Sequence, residues 1–175
     1  MSRVSRILTA IALSSAFAAI ASPASAQGVI NQPRLSAHLA NQVVGDTVAI
    51  CAQKKYNVWA VIVDLDGVRQ SVLRGNGAPI HSQDNAYYKA YAAASLTLGR
   101  NEGSTHEIAQ RMAKAPPSNI PNTQLPNVTY ARGGMAIRAG DGRIIGGLGV
   151  SGAPGGNFDE DCGNAALDKI KDQLK

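Results

Sequence analysis

The stretch Val58 to Arg74, Val-Trp-Ala-Val-Ile-Val-Asp-Leu-Asp-Gly-Val-Arg-Gln-Ser-Val-Leu-Arg, decides the fold class. Its first half, Val58 to Asp64, is short, β-branched and nearly continuous in apolar side chains, which predicts a buried strand. Asp66-Gly67 is a hairpin turn signal, because glycine accepts a positive φ without steric cost. Val68 to Arg74 is the returning strand, and Gly75-Asn76-Gly77 ends it.

Upstream of this hairpin, Leu35, Leu39, Val43, Val44, Val48, Cys51 and Ala52 recur at spacings of three and four. That is one face of an amphipathic helix ending near Lys54-Lys55. Downstream, the alanine-rich Ser82 to Leu98 predicts a second helix, with Ala93, Ala94 and Ser95 small enough for close packing. Ser104-Thr105-His106-Glu107 has the capping-box form and starts a short helix that runs through Ile108 to Ala115. Pro116, Pro117, Pro121 and Pro126 predict an irregular loop. Thr129 to Arg132 and Gly134 to Ala139 are strand candidates, and Gly140-Asp141-Gly142 turns the chain into a partner strand, Arg143 to Val150. A Gly/Pro loop, Ser151 to Asn157, leads to a last helix, Asp159 to Leu174. That helix has acidic residues in its first turn and Lys169, Lys171 and Lys175 near its end, as the helix dipole prefers. Hairpin-joined strands with helices on them predict an α+β domain, its antiparallel sheet of about five strands flanked by helices.

Length and composition agree with a single domain: 175 residues, 45% apolar and 17% charged. The first 26 residues are set apart. A basic start (Arg3, Arg6), an apolar stretch from Ile7 to Ile20 and the small-x-small run Ala24-Ser25-Ala26 predict a secretory signal peptide cleaved after Ala26. Residues 27–34 read as a loose leader and 35–175 as the domain. Cleavage leaves 149 residues and lowers the formal charge from +5 to +3. The remaining basic residues are scattered and one Trp is present, so neither a basic stripe nor a stacking platform for nucleic acid is expected. The mature chain has no apolar run of roughly 20 residues, so membrane contact is expected only during export. A periplasmic or secreted location follows.

Two familiar motifs fail on context. Gly147 to Gly152 fits Gly-x-Gly-x-x-Gly, but its strand belongs to a hairpin and only 23 residues follow Gly152, too few for a parallel βαβ unit. Gly149-Val150-Ser151-Gly152-Ala153 nearly fits a nucleophile elbow, yet His38, His81 and His106 all precede Ser151, the reverse of the order in that fold. No paired carboxylates, triad or metal motif supports an enzyme. Cys51 and Cys162 form an even pair in an exported chain, so one disulfide closing a 112-residue loop is expected over two buried thiols that never meet. Of the three histidines, His38 sits beside an apolar helix face and His106 in a first helical turn, whereas His81 falls in the loop before the alanine-rich helix. Loops on a rigid scaffold are where ligand sites concentrate.

An ordered series of segments resembles the GlcG/HbpS-like haem-binding family. It comprises Val61-Ile62-Val63-Asp64, Gly67, Leu73-Arg74-x-x-Gly77-Ala78 and Lys89-Ala90-Tyr91-x-Ala93. Gly133-Gly134, Ile145 to Gly152 and Asp161 complete it. The resemblance runs from about Leu35 to Leu174. It implies a profilin-like domain, assembly into homo-oligomers and, in some members, haem binding; the C-terminal domain of some cobalamin adenosyltransferases is similar. Asn76, Ala92 and Ala136 stand where the family usually has Asp, Thr and Pro.

Together with the export signal, the resemblance implies an exported haem-binding protein for scavenging, storage or sensing. His81 is then the expected axial ligand, since imidazole nitrogen binds haem iron. Arg74 and Lys89 are the expected partners of the haem propionates. The alternative is a non-haem small-molecule sensor or oligomeric assembly module, with Tyr87, Tyr88 and Tyr91 at an interface.

Overall fold

The computed structural model describes residues 28, 30–119 and 124–175. The signal peptide expected over residues 1–26 lies outside the described residues, as does part of the proline loop (120–123). The domain, Gln32–Lys175, contains α1 (Ala37–Gln53), β1 (Trp59–Val63), β2 (Arg69–Arg74), α2 (His81–Leu96), α3 (Thr105–Lys114), β3 (Gly134–Arg138), β4 (Ile144–Ser151) and α4 (Gly156–Asp168). Single 3-10 turns at Pro117–Asn119 and Lys171–Gln173 complete it.

The β1–β2 hairpin closes as its sequence predicts. Gly67 has φ +77°, and the buried Asp64 carboxylate accepts from the amides of Asp66 and Val68, both at 3.0 Å. The four strands form one antiparallel sheet in the order β2-β1-β4-β3. The sheet has four strands among the described residues rather than about five, because Thr129 to Arg132 pairs with nothing. The outer edge of β3 is already taken by the chain before α3: Ser104 bridges Met135, and the Ala136 amide donates to the Gly103 carbonyl at 2.8 Å.

Helices cover both faces, which is why β1 and β4 are apolar or glycine nearly throughout. On one face α1 and α4 enclose Val43, Val44, Ala60, Ile62, Ile137, Leu148, Val150 and Ile170. There Cys51 of α1 and Cys162 of α4 are bonded, with S–S 2.15 Å and Cα–Cα 5.5 Å. On the other face α2 lays Ala86, Ala90 and Ala94 against Val61 and Val63. Its close approach depends on two glycines of β4. A Cβ on Gly149 would overlap the Ala86 carbonyl oxygen, and one on Gly147 the Ala90 carbonyl oxygen.

Local signals hold with small shifts. Ser36 caps α1, its Oγ accepting from the Leu39 amide at 3.2 Å. Ser104 caps α3, accepting from the Glu107 amide at 3.3 Å, while the Glu107 carboxylate reaches back to the Gly103 amide. The last helix ends at Asp168, earlier than the expected Leu174, and continues as the 3-10 turn. No described helix is long and apolar enough to cross a membrane.

Candidate functional site

Pairing of β1 with β4 sets Trp59 opposite Ser151, so the C-terminal end of β4 opens beside the loop that leads into α2. An open cleft of about 360 Å³ forms there. Its walls are the first two turns of α2 (His81, Ser82, Asn85, Lys89), the end of β4 (Ser151), the Gly152–Gly155 loop, the start of α4 (Gly156, Asp159) and Ala131-Arg132. Residues 81, 85 and 89 share one helix face because they repeat every four positions.

His81 is the first residue of α2, not a loop residue as the sequence predicts, because the helix starts one residue earlier. Its side chain is exposed at the cleft wall. Two contacts hold the approach to it. The Arg74 guanidinium donates twice to the Ala78 carbonyl, at 3.1 and 2.7 Å, and Trp59 Nε1 donates to the Pro79 carbonyl at 2.9 Å. Arg74 also lies over the Trp59 ring, 5.4 Å from its centroid. Arg74 therefore positions the segment before His81; it does not line the cleft.

Lys89 lines the cleft from within. It is 2% exposed, and its ammonium donates to Asp159 Oδ2 and to the Val150 carbonyl, both at 2.8 Å. These bonds commit its charge, so the expected pairing of Lys89 with a ligand carboxylate gives way to an internal ion pair. Asp159 Oδ1 accepts from the Ala153 amide at 3.0 Å and so ties the glycine loop to α4. Burial pushes the Asp159 carboxyl above its ordinary range, outweighing the Lys89 ammonium and the Ala153 amide, which pull it down.

Three more residues complete the cleft without having been singled out by the sequence. Asn85 Nδ2 donates to Ser151 Oγ at 3.0 Å. Arg132, part-exposed, pairs with Glu160 through Nε at 2.9 Å. Asp159 had a signal: a lysine on the alanine face of α2 requires a buried counter-charge. Asn85 and Arg132 had none. His38 is exposed on α1, and His106 on α3 lies 3.1 Å from Gln110 Nε2; neither lines the cleft. Among the described residues no group of three or more His, Cys, Asp or Glu is placed to hold a metal ion, and His81 is the one histidine in the cleft lining.

A four-stranded antiparallel sheet with α2 on one face and α1 and α4 on the other, open at the α2 N-terminus, defines the class: a profilin-like α+β ligand-binding fold. Within it the chain belongs to the HbpS-like family; the profile described as haem degrading protein HbpS-like matches residues 35–168. Its structure is similar to that of HbpS, with 27% identity, 82% of this chain and 94% of the other covered, and a TM-score of 0.70. A double mutant of Streptomyces reticuli HbpS is similar at 30% identity, 86% and 97% coverage and a TM-score of 0.71. The PduOC:haem complex is similar at 28% identity, 79% and 96% coverage and a TM-score of 0.68. No curated protein matches the chain.

Proposed function

We propose that this chain is an exported haem-binding protein that takes haem at the His81 cleft. Family membership and the likeness to a haem complex support haem-related binding. The observation that carries the site is the placement of His81: an exposed imidazole on the first turn of α2, in the wall of an open cleft. The residues fit such a group. An imidazole nitrogen is an iron ligand. The neighbouring wall, Gly152 to Gly156, carries only the small apolar side chains of Ala153 and Pro154 beside a flat ring. Arg132, part-exposed on the same cleft, is the cation within reach of a propionate, which would share its guanidinium with Glu160; burial and the Asp159 pair deny Lys89 that role. When bound, haem supplies the iron and its colour; the chain's own residues bind and orient it.

Export is supported by the Arg3 to Ala26 pattern, and N-terminal sequencing of the secreted form should begin at Gln27. Assembly into a homo-oligomer is supported by Val68, Val72 and Leu73, exposed along the edge strand β2 and the turn before it. Mass spectrometry of protein purified under native conditions tests the ligand. A co-purified porphyrin is expected, and a different metabolite at the same cleft contradicts the proposal in favour of a non-haem sensor.

A further inference from the structure

A second cleft lies at the other end of α2 and β4. The 16 residues of α2 separate it from His81 by about 24 Å at 1.5 Å per residue. Its volume is about 420 Å³. The apolar part is Pro33, Leu65, Leu98 and Ile144, and Leu98 is 48% exposed although large and apolar. The charged part is Arg100, Arg138 and Arg143, with no acidic residue in the lining among the described residues. The His81 cleft differs, because Asp159 there answers Lys89.

The three arginines are held in different ways. Arg138 donates to the carbonyls of Gly142 at 2.9 Å, Glu102 at 2.8 Å and Arg100 at 3.4 Å. Carbonyl dipoles fix its guanidinium, and among the described residues no carboxylate pairs with it. The nearby Glu102 carboxylate is engaged by Arg111, at 2.5 and 3.2 Å. Arg143 pairs with Asp141 at 2.6 Å, but both side chains are more than half exposed, and such pairs are weak. Arg100 has no ion pair among the described residues and is exposed. An apolar floor beside three guanidinium groups, of which only Arg143 has a carboxylate partner and that one exposed, complements one kind of molecule: an apolar body that ends in an oxyanion, which the planar arginine fork accepts.

We propose that this arginine-rimmed cleft is a second ligand site, for small amphipathic carboxylates. The apolar body lies on Leu65, Leu98 and Ile144, and the carboxylate faces Arg100 and Arg143. The site is independent of the haem reading, because it shares no residue with the His81 cleft.

Calorimetric titration of the whole secreted domain with decanoate, decanol and acetate tests it. Decanoate is expected to bind saturably. Decanol, which lacks the charge, and acetate, which lacks the chain, should each bind at least about tenfold more weakly. The double variant Arg100→Ala/Arg143→Ala should weaken decanoate by about ten- to a hundredfold, the range for losing a charge-assisted contact. Both side chains are exposed, so the fold tolerates their removal; circular dichroism checks this. His81→Ala should leave decanoate affinity unchanged, which separates failure here from failure of the haem proposal. Methyl NMR shifts on decanoate addition should centre on Leu65, Leu98 and Ile144. Absence of saturable binding, equal affinity for decanol, or an unaltered double variant overturns the proposal.

Discussion

The two faces of the sheet are sealed by opposite means. Toward α1 and α4, β4 presents Leu148 and Val150 to a layer of branched side chains, and a disulfide joins the two helices. Toward α2, the same strand presents Gly147 and Gly149, and alanines bring the helix backbone onto the strand backbone. Side chains can repack when one is trimmed, whereas two backbones in contact have nothing to yield. The rigid face is the one that carries His81, Lys89 and Asn85. The glycine face therefore fixes where the cleft residues stand, and the bulky face supplies most of the buried apolar area.

Substitutions on the two faces should differ in graded steps. Gly149→Val forces a side chain into the Ala86 carbonyl and should destabilise by more than about 4 kcal/mol, enough to leave little folded protein in a thermal melt. Leu148→Ala, its neighbour pointing the other way, should cost about 2–5 kcal/mol and still yield a folded domain. An equal or smaller effect at Gly149 contradicts the division. Asp159→Ala leaves the Lys89 ammonium buried and unpaired and should cost about 3–5 kcal/mol. Adding Lys89→Met should recover much of that loss, since the lone charge goes with it. On the bulky face, Cys51→Ala/Cys162→Ala should cost about 2–5 kcal/mol, read as a lower midpoint in urea.

A smaller effect sharpens the picture of the cleft. The Asp159 carboxyl is raised above 3.8 by burial, so it takes up its proton at higher pH than an ordinary aspartate. Because its folded value exceeds its unfolded one, its ionisation opposes folding. Its favourable contribution is fully present below 3.8 and is lost as pH rises through the raised folded value. Lys89→Met removes two influences that lower the value and should move the Asp159 carboxyl NMR titration further upward. A midpoint at or below 3.8 in the wild-type chain contradicts the burial argument.

Much of the frame was legible because its signals are local. The β1–β2 hairpin announces itself in Val58 to Asp64 and Asp66-Gly67, and the α3 cap in Ser104 to Glu107. The strand expected at Thr129 to Arg132 failed because strand pairing is a long-range matter: a segment from before α3 had already claimed the edge of β3. The cleft was less legible for the same reason. His81 stood out as a residue type in a suggestive place, but Lys89 and Asp159 are 70 positions apart, and nothing local reveals that they meet. The sequence suggests Arg74 as a ligand-facing cation; the carbonyl of Ala78, four residues on, engages it. The second cleft draws on four separate segments and left no trace in the sequence pattern.

Haem binding through His81 is open to a direct test, a haemin titration followed by visible spectroscopy. A saturable Soret shift is expected in the wild-type domain, lost in His81→Ala and kept in His106→Ala, a histidine outside the cleft. A Soret shift of full size in His81→Ala would contradict it.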